Sequence, residues 1–363
     1  MKRIVIKIGT KVLTGRDGRL DEEAIRSLVG QISKMLNSGI EVLIVSSGAI
    51  GAGMGILKMK KLPESLAELQ AIASIGQTAL MNVYNKYFVS NSYFTGQILL
   101  TQDDFDDRAR YLNIKYTINT LISHRAVPII NENDTIRTDE IKCGDNDRIS
   151  SLVADLSGAD ALIMLTDVDG LLDEEGKCIK EADAVTGKIS SLVKNTKKTL
   201  GTGGMQTKVM AAEFCVNSGI ECYIANGKRD NVLLNVIDKK GSFTHFRARA
   251  KRISAKKRWI GFGSKAKGAL IVDDGAKEAL LKHNKSLLSA GISEMSGQFC
   301  IGDIVKICDK RQKEFARGIS NYSSEEILRI KGRKTQEIET VLGYKDHDEV
   351  IHRDNLIIIE NSE

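Results

Sequence analysis

Short, continuous apolar runs alternate along this chain with longer segments whose apolar residues recur at helical spacing, and that alternation limits the possible folds more than any other feature. Arg3 to Ile8 reads as a buried strand. From Asp21 the residues Ala24, Ile25, Leu28, Val29, Ile32, Met35 and Leu36 follow a helical period until Ser38-Gly39 stops it. Further strands are expected at Glu41 to Val45, Gln97 to Leu100, Val127 to Ile130, Ala161 to Leu165 and Glu221 to Ala225, with helix-like segments between most of them. This order predicts an α/β fold, an open and mainly parallel sheet covered by helices on both faces, running to about Arg258. Beyond the only tryptophan, Trp259, the texture changes to short segments punctuated by glycine. Ala269 to Val272, Gly302 to Cys308, Arg317 to Ser320 and Val350 to Ile359 read as strands of a small β-rich domain, with a helix near Ser324 to Ile330. The boundary is expected between Arg247 and Gly268, and 363 residues suffice for two such domains.

Several classes of protein are excluded. The longest uncharged stretch, Val42 to Leu57, is broken by serines and glycines and falls short of the roughly 20 apolar residues that span a bilayer. Met1-Lys2-Arg3 is followed by only three apolar residues before Lys7, too few for a secretory signal, so a cytoplasmic protein without membrane attachment is expected. Cys143, Cys178, Cys215, Cys222, Cys300 and Cys308 form no CxxC pair, which points to reduced thiols and away from a zinc site or a disulfide framework. Arg247, Arg249, Lys251, Arg252, Lys256, Lys257 and Arg258 form a basic run without an acid. It fits a nucleic-acid footprint, a solvated linker or a surface facing an acidic neighbour.

In open α/β sheets ligands bind beyond the carboxyl ends of the strands. The residues there are Lys7, Gly9 and Thr10 after the first strand; Ser46-Ser47-Gly48 with Gly51, Gly53 and Gly55 after the second; Asn131-Glu132-Asn133-Asp134 after the fourth; and Thr166-Asp167-Val168-Asp169-Gly170 after the fifth. Each alone is ordinary turn or cap chemistry; four at one edge point to one shared site. Gly201-Thr202-Gly203-Gly204-Met205-Gln206-Thr207-Lys208 opens a helix, so its backbone N–H groups can hold phosphate while Lys208 adds a mobile charge. Neither GxxxxGK[ST] nor a strict GxGxxG occurs, which removes the main support for P-loop and dinucleotide-binding readings. Lys142-Cys143-Gly144-Asp145-Asn146-Asp147 packs two carboxylates, an amide and a lysine ahead of another helix. A carboxylate there can fix nearby lysines while the amide holds a small polar substrate, although Asp145 or Asn146 could equally cap the helix. Phosphoryl transfer needs positive charge and aligned reactants more than covalent help, a role that Lys7 and Lys208 fit.

The order of Lys7-Ile8-Gly9-Thr10, Ser46-Ser47-Gly48-Ala49-Ile50, Asn131-Glu132-Asn133-Asp134, Gly144-Asp145-Asn146-Asp147, Leu165-Thr166-Asp167 and Gly201-Thr202-Gly203-Gly204-Met205 resembles the amino-acid kinase family, in the form that carries a C-terminal PUA domain. In the tail the resemblance rests on Gly297, Ile301-Gly302-Asp303, Ala316-Arg317-Gly318, Tyr322, Ser324, Ile338 to Gly343 and Val350 to Asn355. It implies a kinase domain over 1–258 and a PUA domain over 268–356. It also implies ATP-dependent phosphorylation of the L-glutamate side-chain carboxylate to L-glutamyl 5-phosphate and ADP, the first step of proline biosynthesis, with Mg²⁺ arriving mostly on the nucleotide.

Carried over by position, Lys7 and Lys208 would stabilise the γ-phosphoryl group and Asp147 would organise them. Ser47, Asp134 and Asn146 would bind glutamate, with Lys142 near its entrance. Thr166, Asp167 and Thr202, Gly203, Gly204, Met205, Gln206, Thr207 and Lys208 would contact the nucleotide, while Gly9, Gly48 and Gly204 let backbone amides approach phosphate. No metal-ligating residue of the protein is implied. The family further implies inhibition by proline, a homo-oligomer and a possible glutamyl-phosphate reductase partner. One departure is Leu172-Asp173-Glu174-Glu175-Gly176-Lys177, where the family often has an Asp-Pro stretch. Related kinases acting on aspartate, N-acetylglutamate or UMP are the competing enzyme readings. RNA binding through the tail competes from another class, but with 5% aromatic residues the chain offers few stacking platforms for it as a main function.

Overall fold

The first strand, β1 (Arg3–Ile8), is buried over nearly its whole length and lies in the middle of a sheet, paired in parallel with β2 (Glu41–Ser46) on one side and β5 (Ala161–Thr166) on the other. The structure is a computed structural model that describes residues 1–15, 18–136, 145–173, 175–182, 204–248, 260–261 and 266–359. The chain divides into two units, Met1–Arg252 and Ile253–Glu363. The remaining described strands of the first unit are β3 (Phe94–Leu100), β4 (Ala126–Glu132), β6 (Glu181–Ala182), β7 (Glu221–Asn226) and β8 (Phe243–Phe246), in the order β3-β4-β2-β1-β5-β7-β8-β6. All pairings are parallel except β7 with β8. The chain fills one side of β1 with β2, β3 and β4 before crossing to β5, so the strand order reverses at β1, the place where such sheets bind ligands.

The helices that position the site are α1 (Glu22–Asn37), α2 (Ala49–Ile56), α3 (Leu66–Val89), α4 (Arg108–Ser123), α5 (Asp145–Ser157), α6 (Met205–Asn217) and α7 (Val232–Ile237). At the start of α1 the Asp21 side chain accepts the Ala24 N–H at 3.0 Å, and Glu22 and Glu23 complement the dipole of its first turn. The apolar stripe anticipated from the sequence, Ile25, Leu28, Val29, Ile32 and Met35, is buried. It joins α3, α7 and the alternate strand residues Ile4, Ile6 and Ile8 in one core. Because strand side chains alternate, Val5 and Lys7 project to the other face, where α5 packs on β1 and α6 packs on α5. That puts a lysine among helices that carry a carboxylate and a second lysine.

Gly53, expected at the ligand edge, serves packing instead, and Gly76 meets it from the facing helix. A Cβ on Gly53 of α2 would stand 2.1 Å from the Ile72 carbonyl oxygen, and one on Gly76 of α3 would stand 1.8 Å from that of Ala49. The two helices therefore touch backbone to backbone. Gly48, which caps α2, does sit at the strand edge and takes a left-handed φ of 99°.

The second unit holds, among the described residues, the strands β9 (Gly268–Val272), β10 (Ile292–Gly297), β11 (Ile304–Cys308), β12 (Glu314–Ile319) and β13 (Leu356–Ile358), in the order β10-β9-β11-β12-β13. Only β9 and β11 pair in parallel. The helices α8 (Asp274–His283), α9 (Ser324–Ile330) and α10 (Ile338–Leu342) complete it around a separate core that includes Leu270, Val305, Phe315 and Tyr322. The reciprocal cap between Ser323 and Glu326 explains why α9 begins where the sequence placed it. The expected strand at Val350 to Ile359 is shorter: Ile351 makes only an isolated bridge to Leu287, and regular pairing starts at Leu356. Among the described residues no helix is long and apolar enough to cross a membrane.

The helix contact gives a paired test. Gly76→Ala is expected to destabilise the protein by about 3 kcal/mol, because backbone cannot give way as a side chain can. Gly30→Ala, whose new methyl meets nothing within 4 Å inside α1, is expected to stabilise it by about 0.5 kcal/mol. Urea unfolding of both variants beside the wild type reads the two signs.

Candidate active site

Lys7 ends its strand almost at the sheet edge, and its Nζ lies 2.7 Å from Asp147 Oδ1. Lys208, in the first turn of α6, brings its Nζ to 3.1 Å from Asp147 Oδ2. Thr207 Oγ1 is 2.7 Å from the same oxygen and 2.8 Å from the Gly204 carbonyl. Asp147 is 0% exposed, and both lysines are buried. Burial by itself would raise the Asp147 carboxyl; the fields of Lys7 and Lys208, with hydrogen bonds from Lys7 and Thr207, outweigh it and hold the group below the usual carboxylate range. Two ammonium groups thus converge on one buried carboxylate at the switch point of the sheet, in a place where charge is poorly screened.

Asn146, the neighbour of Asp147 at the start of α5, turns the other way. Its Nδ2 donates to Asn131 Oδ1 at 3.0 Å and to Ser47 Oγ at 3.3 Å. Two consecutive residues thus connect an ammonium cluster on one side to an amide and hydroxyl cluster on the other. Asp134 is half-buried in the turn after β4. Gly9 donates its N–H to the Leu165 carbonyl at 3.1 Å, and a Cβ there would come 3.7 Å from Lys7 Nζ.

On the β5 side Thr166 is buried, and its hydroxyl donates to Asp167 at 3.2 Å. Asp167 pairs with Lys11 at 2.9 Å. Burial raises the Asp167 carboxyl, but the Lys11 hydrogen bond and its own backbone N–H bring it below its ordinary value. Asp169 receives a two-pronged contact from Arg229, Nε at 3.1 Å and Nη2 at 2.7 Å, and Asn226 Nδ2 at 2.9 Å, which lower its carboxyl. Gly204 caps α6 without a side-chain bond. Gly204 and Gln206 are exposed, and Met205 is half-buried.

Lys142, Thr202 and Gly203 lie outside the described residues, as do Cys143, most of the basic run and Trp259. Arg247, the described start of that run, pairs with Glu181 at 2.6 Å. Cys178, Cys215, Cys222, Cys300 and Cys308 are free thiols. Among the described residues no group of three or more His, Cys, Asp or Glu side chains could hold a metal ion.

Two residues at the site were not singled out in the sequence. Asn131, within the Asn131 to Asp134 segment, lies at the centre of the amide cluster, and Gln77 of α3 supports it through a 2.8 Å hydrogen bond. The signal for Gln77 was a polar residue on the otherwise apolar buried stripe of α3, a position that demands a partner.

A mainly parallel sheet with buried lysines at its switch point can hold the charge of a phosphoryl group, the chemistry of a small-molecule phosphotransferase. The amino acid kinase family matches residues 2–226 and the PUA domain matches residues 268–342. The chain belongs to the amino acid kinase family and carries a PUA domain. It is 48% identical over 367 residues to the glutamate 5-kinase of Thermoanaerobacter pseudethanolicus (strain ATCC 33223 / 39E), covering 99% of both chains. It is 42% identical to that of Moorella thermoacetica (strain ATCC 39073 / JCM 9320) over 99% of this chain and 96% of the relative. To that of Haemophilus influenzae (strain 86-028NP) it is 41% identical, over 99% of both.

The Asp147 cluster sets a pH test. A carboxyl lowered in the folded state contributes stability above its unfolded value, about pH 4, and loses it as pH falls through the folded value. Asp147→Asn removes the buried carboxylate shared by two ammonium groups and is expected to cost about 3–5 kcal/mol near neutrality. The gap between variant and wild type, measured by urea unfolding, is expected to be level at about pH 5–7 and to shrink below about pH 4.

Proposed function

We propose that this protein is an ATP-dependent kinase of L-glutamate, forming L-glutamyl 5-phosphate and ADP as the first step of proline biosynthesis. The observation that carries the reading is the pair Asn146 and Asp147: one residue joins the Ser47 and Asn131 cluster, and the next joins Lys7 and Lys208. An acid substrate held by the first group meets a phosphoryl group held by the second. The names of the relatives supply the identity of the acid.

In this reading Ser47, Asp134, Asn146 and Lys142 bind glutamate. Thr166, Asp167 and the segment from Thr202 to Lys208, with Lys7 and Gly9, bind the nucleotide. A side-chain carboxylate oxygen attacks the γ-phosphorus in line; the new O–P bond forms as the bond to the β–γ bridging oxygen breaks, and ADP leaves with that oxygen. A glutamate carboxyl with an ordinary value of about 4.3 is already ionised, so no general base is required. Lys7 and Lys208 neutralise charge spreading over the γ-phosphoryl oxygens, while Asp147 fixes both ammonium groups in place beforehand. The ATP phosphates would supply Mg²⁺ with the oxygen ligands it prefers, and the metal would neutralise part of their charge.

The kinase domain is assigned to 1–258 and the PUA domain to 268–356, a division supported by the two contact units and the two family matches. Proline as feedback inhibitor, a homo-oligomer, a glutamyl-phosphate reductase that consumes the labile acyl phosphate, and a cytoplasmic location complete the proposal. RNA binding by the PUA domain is not its main function.

The test is ATP- and Mg²⁺-dependent hydroxamate formation with glutamate, aspartate and N-acetylglutamate. Turnover of glutamate alone, reduced about 100-fold or more by Lys208→Ala, is the expected result. Turnover of another acid, or of none, overturns the assignment.

A further inference from the structure

The buried face of α3 repeats every three or four residues through Ile72, Ala73, Gly76, Gln77, Leu80, Tyr84 and Phe88. Its two long polar members, Gln77 and Tyr84, are seven residues apart and so share one side of the helix. Tyr84 OH lies 3.0 Å from Ser46 Oγ, directly before Ser47. Gln77 Oε1 accepts from Asn131 Nδ2 at 2.8 Å.

The backbone N–H of Glu132 and the Gln77 side chain together fix the direction of this hydrogen-bond chain. The Glu132 N–H donates to Asn131 Oδ1 at 2.9 Å, which fixes the oxygen end of that amide. Asn131 Nδ2, being only a donor, then requires an acceptor, and Gln77 Oε1 is the one it has. The second lone pair of Asn131 Oδ1 takes the Asn146 Nδ2 proton at 3.0 Å, and the other Nδ2 proton goes to Ser47. From Asn146 through Asn131 to Gln77 each amide donates to the next, and the bond to Ser47 branches off at Asn146. The chain therefore ends with a donor unused at the back, Gln77 Nε2, and an acceptor unused at the front, Asn146 Oδ1, both buried and without a partner. A buried carbonyl oxygen lacking a donor is costly, and a cationic N–H group of a ligand would relieve it.

We propose that Gln77 is a positioning and specificity-determining residue: through Asn131 it holds Asn146 with its oxygen turned to the acid substrate, so that the site reads an amino acid's ammonium group. The opposite orientation of Asn146 would present two N–H donors and repel that group. This rests on the reading that the site takes glutamate. Gln77 touches no substrate itself; its effect passes through two amides.

The test compares glutamate with glutarate, the same diacid without the ammonium group, in the full-length wild type and two variants. Gln77→Met keeps the volume and removes the acceptor. Gln77→Glu keeps an acceptor oxygen in either protonation state; ionised, it replaces the unused donor by a buried negative charge, and protonated, it keeps a single O–H donor. The expected result for Gln77→Met is a rise of about tenfold in KM for glutamate, KM for ATP within about twofold of wild type, and a preference for glutamate over glutarate reduced by about the same tenfold factor. Gln77→Glu is expected to keep most of the preference.

A Gln77→Met enzyme with unchanged preference, or with both KM values raised together, overturns the proposal, because general loosening of the core does not select one substrate group. If Gln77→Met does not fold, Gln77→Glu decides: preference lost there, with KM for ATP intact, overturns it too. A wild type that does not phosphorylate glutamate removes the functional reading and the proposal with it, and is seen in the first column of the same experiment.

Discussion

A carboxylate with no solvent exposure exists as an ion only if the protein replaces the water it has lost, and two ammonium groups do so for Asp147. Lys7, Asp147 and Lys208 come from β1, α5 and α6, so the ion cluster fastens the central strand to the two helices packed on one face of the sheet. Both lysines are buried and are held in place by Asp147 before any ligand arrives. Electrostatic catalysis gains most from groups that need not reorganise during the reaction.

The two faces of the sheet divide the labour. On the α5 and α6 face lie the charges; on the α3 face lie neutral amides and hydroxyls, reached from Asn131 and Ser46 by the same strand alternation that sends Lys7 the other way. Asn146 and Asp147 join the two sets at the start of one helix, and a helix N-terminus has its backbone N–H groups free for polar partners. A phosphoryl donor and an acid acceptor have opposite demands, charge for one and selective hydrogen bonding for the other. Adjacent residues meet both.

Much of this was legible in the amino acids. The runs that form β1, β2, β4, β5 and β7 are apolar on both faces, so no amphipathic ambiguity obscured them, and the polar residues after them marked one edge. Lys7, Asp147 and Lys208 were singled out and lie within hydrogen-bond distance of one another. Other features were illegible for identifiable reasons. The strand β8 has four residues, two of them Thr244 and His245, and its buried threonine hydroxyl is taken by the Leu171 N–H, a partner distant in sequence. The strand β10 exposes most of its residues and shows no apolar run. Gly53 could not be told from a ligand-binding glycine, because what it meets is another helix. Gln77 looked like one polar residue in a long helix; its partner is 54 positions away.

The central place of β1 has a consequence for how the chain is made. Its two edges are closed by β2, which follows within about 40 residues, and by β5, which begins only at Ala161. A ribosome that has released β2, β3 and β4 has produced a half-sheet whose buried strand β1 still presents one open row of N–H and C=O groups. Open apolar edges recruit other chains. Between the emergence of residues 46 and 161 the growing polypeptide is therefore in its most association-prone state, and ends it only when β5 docks beside the strand synthesised more than 150 residues before it.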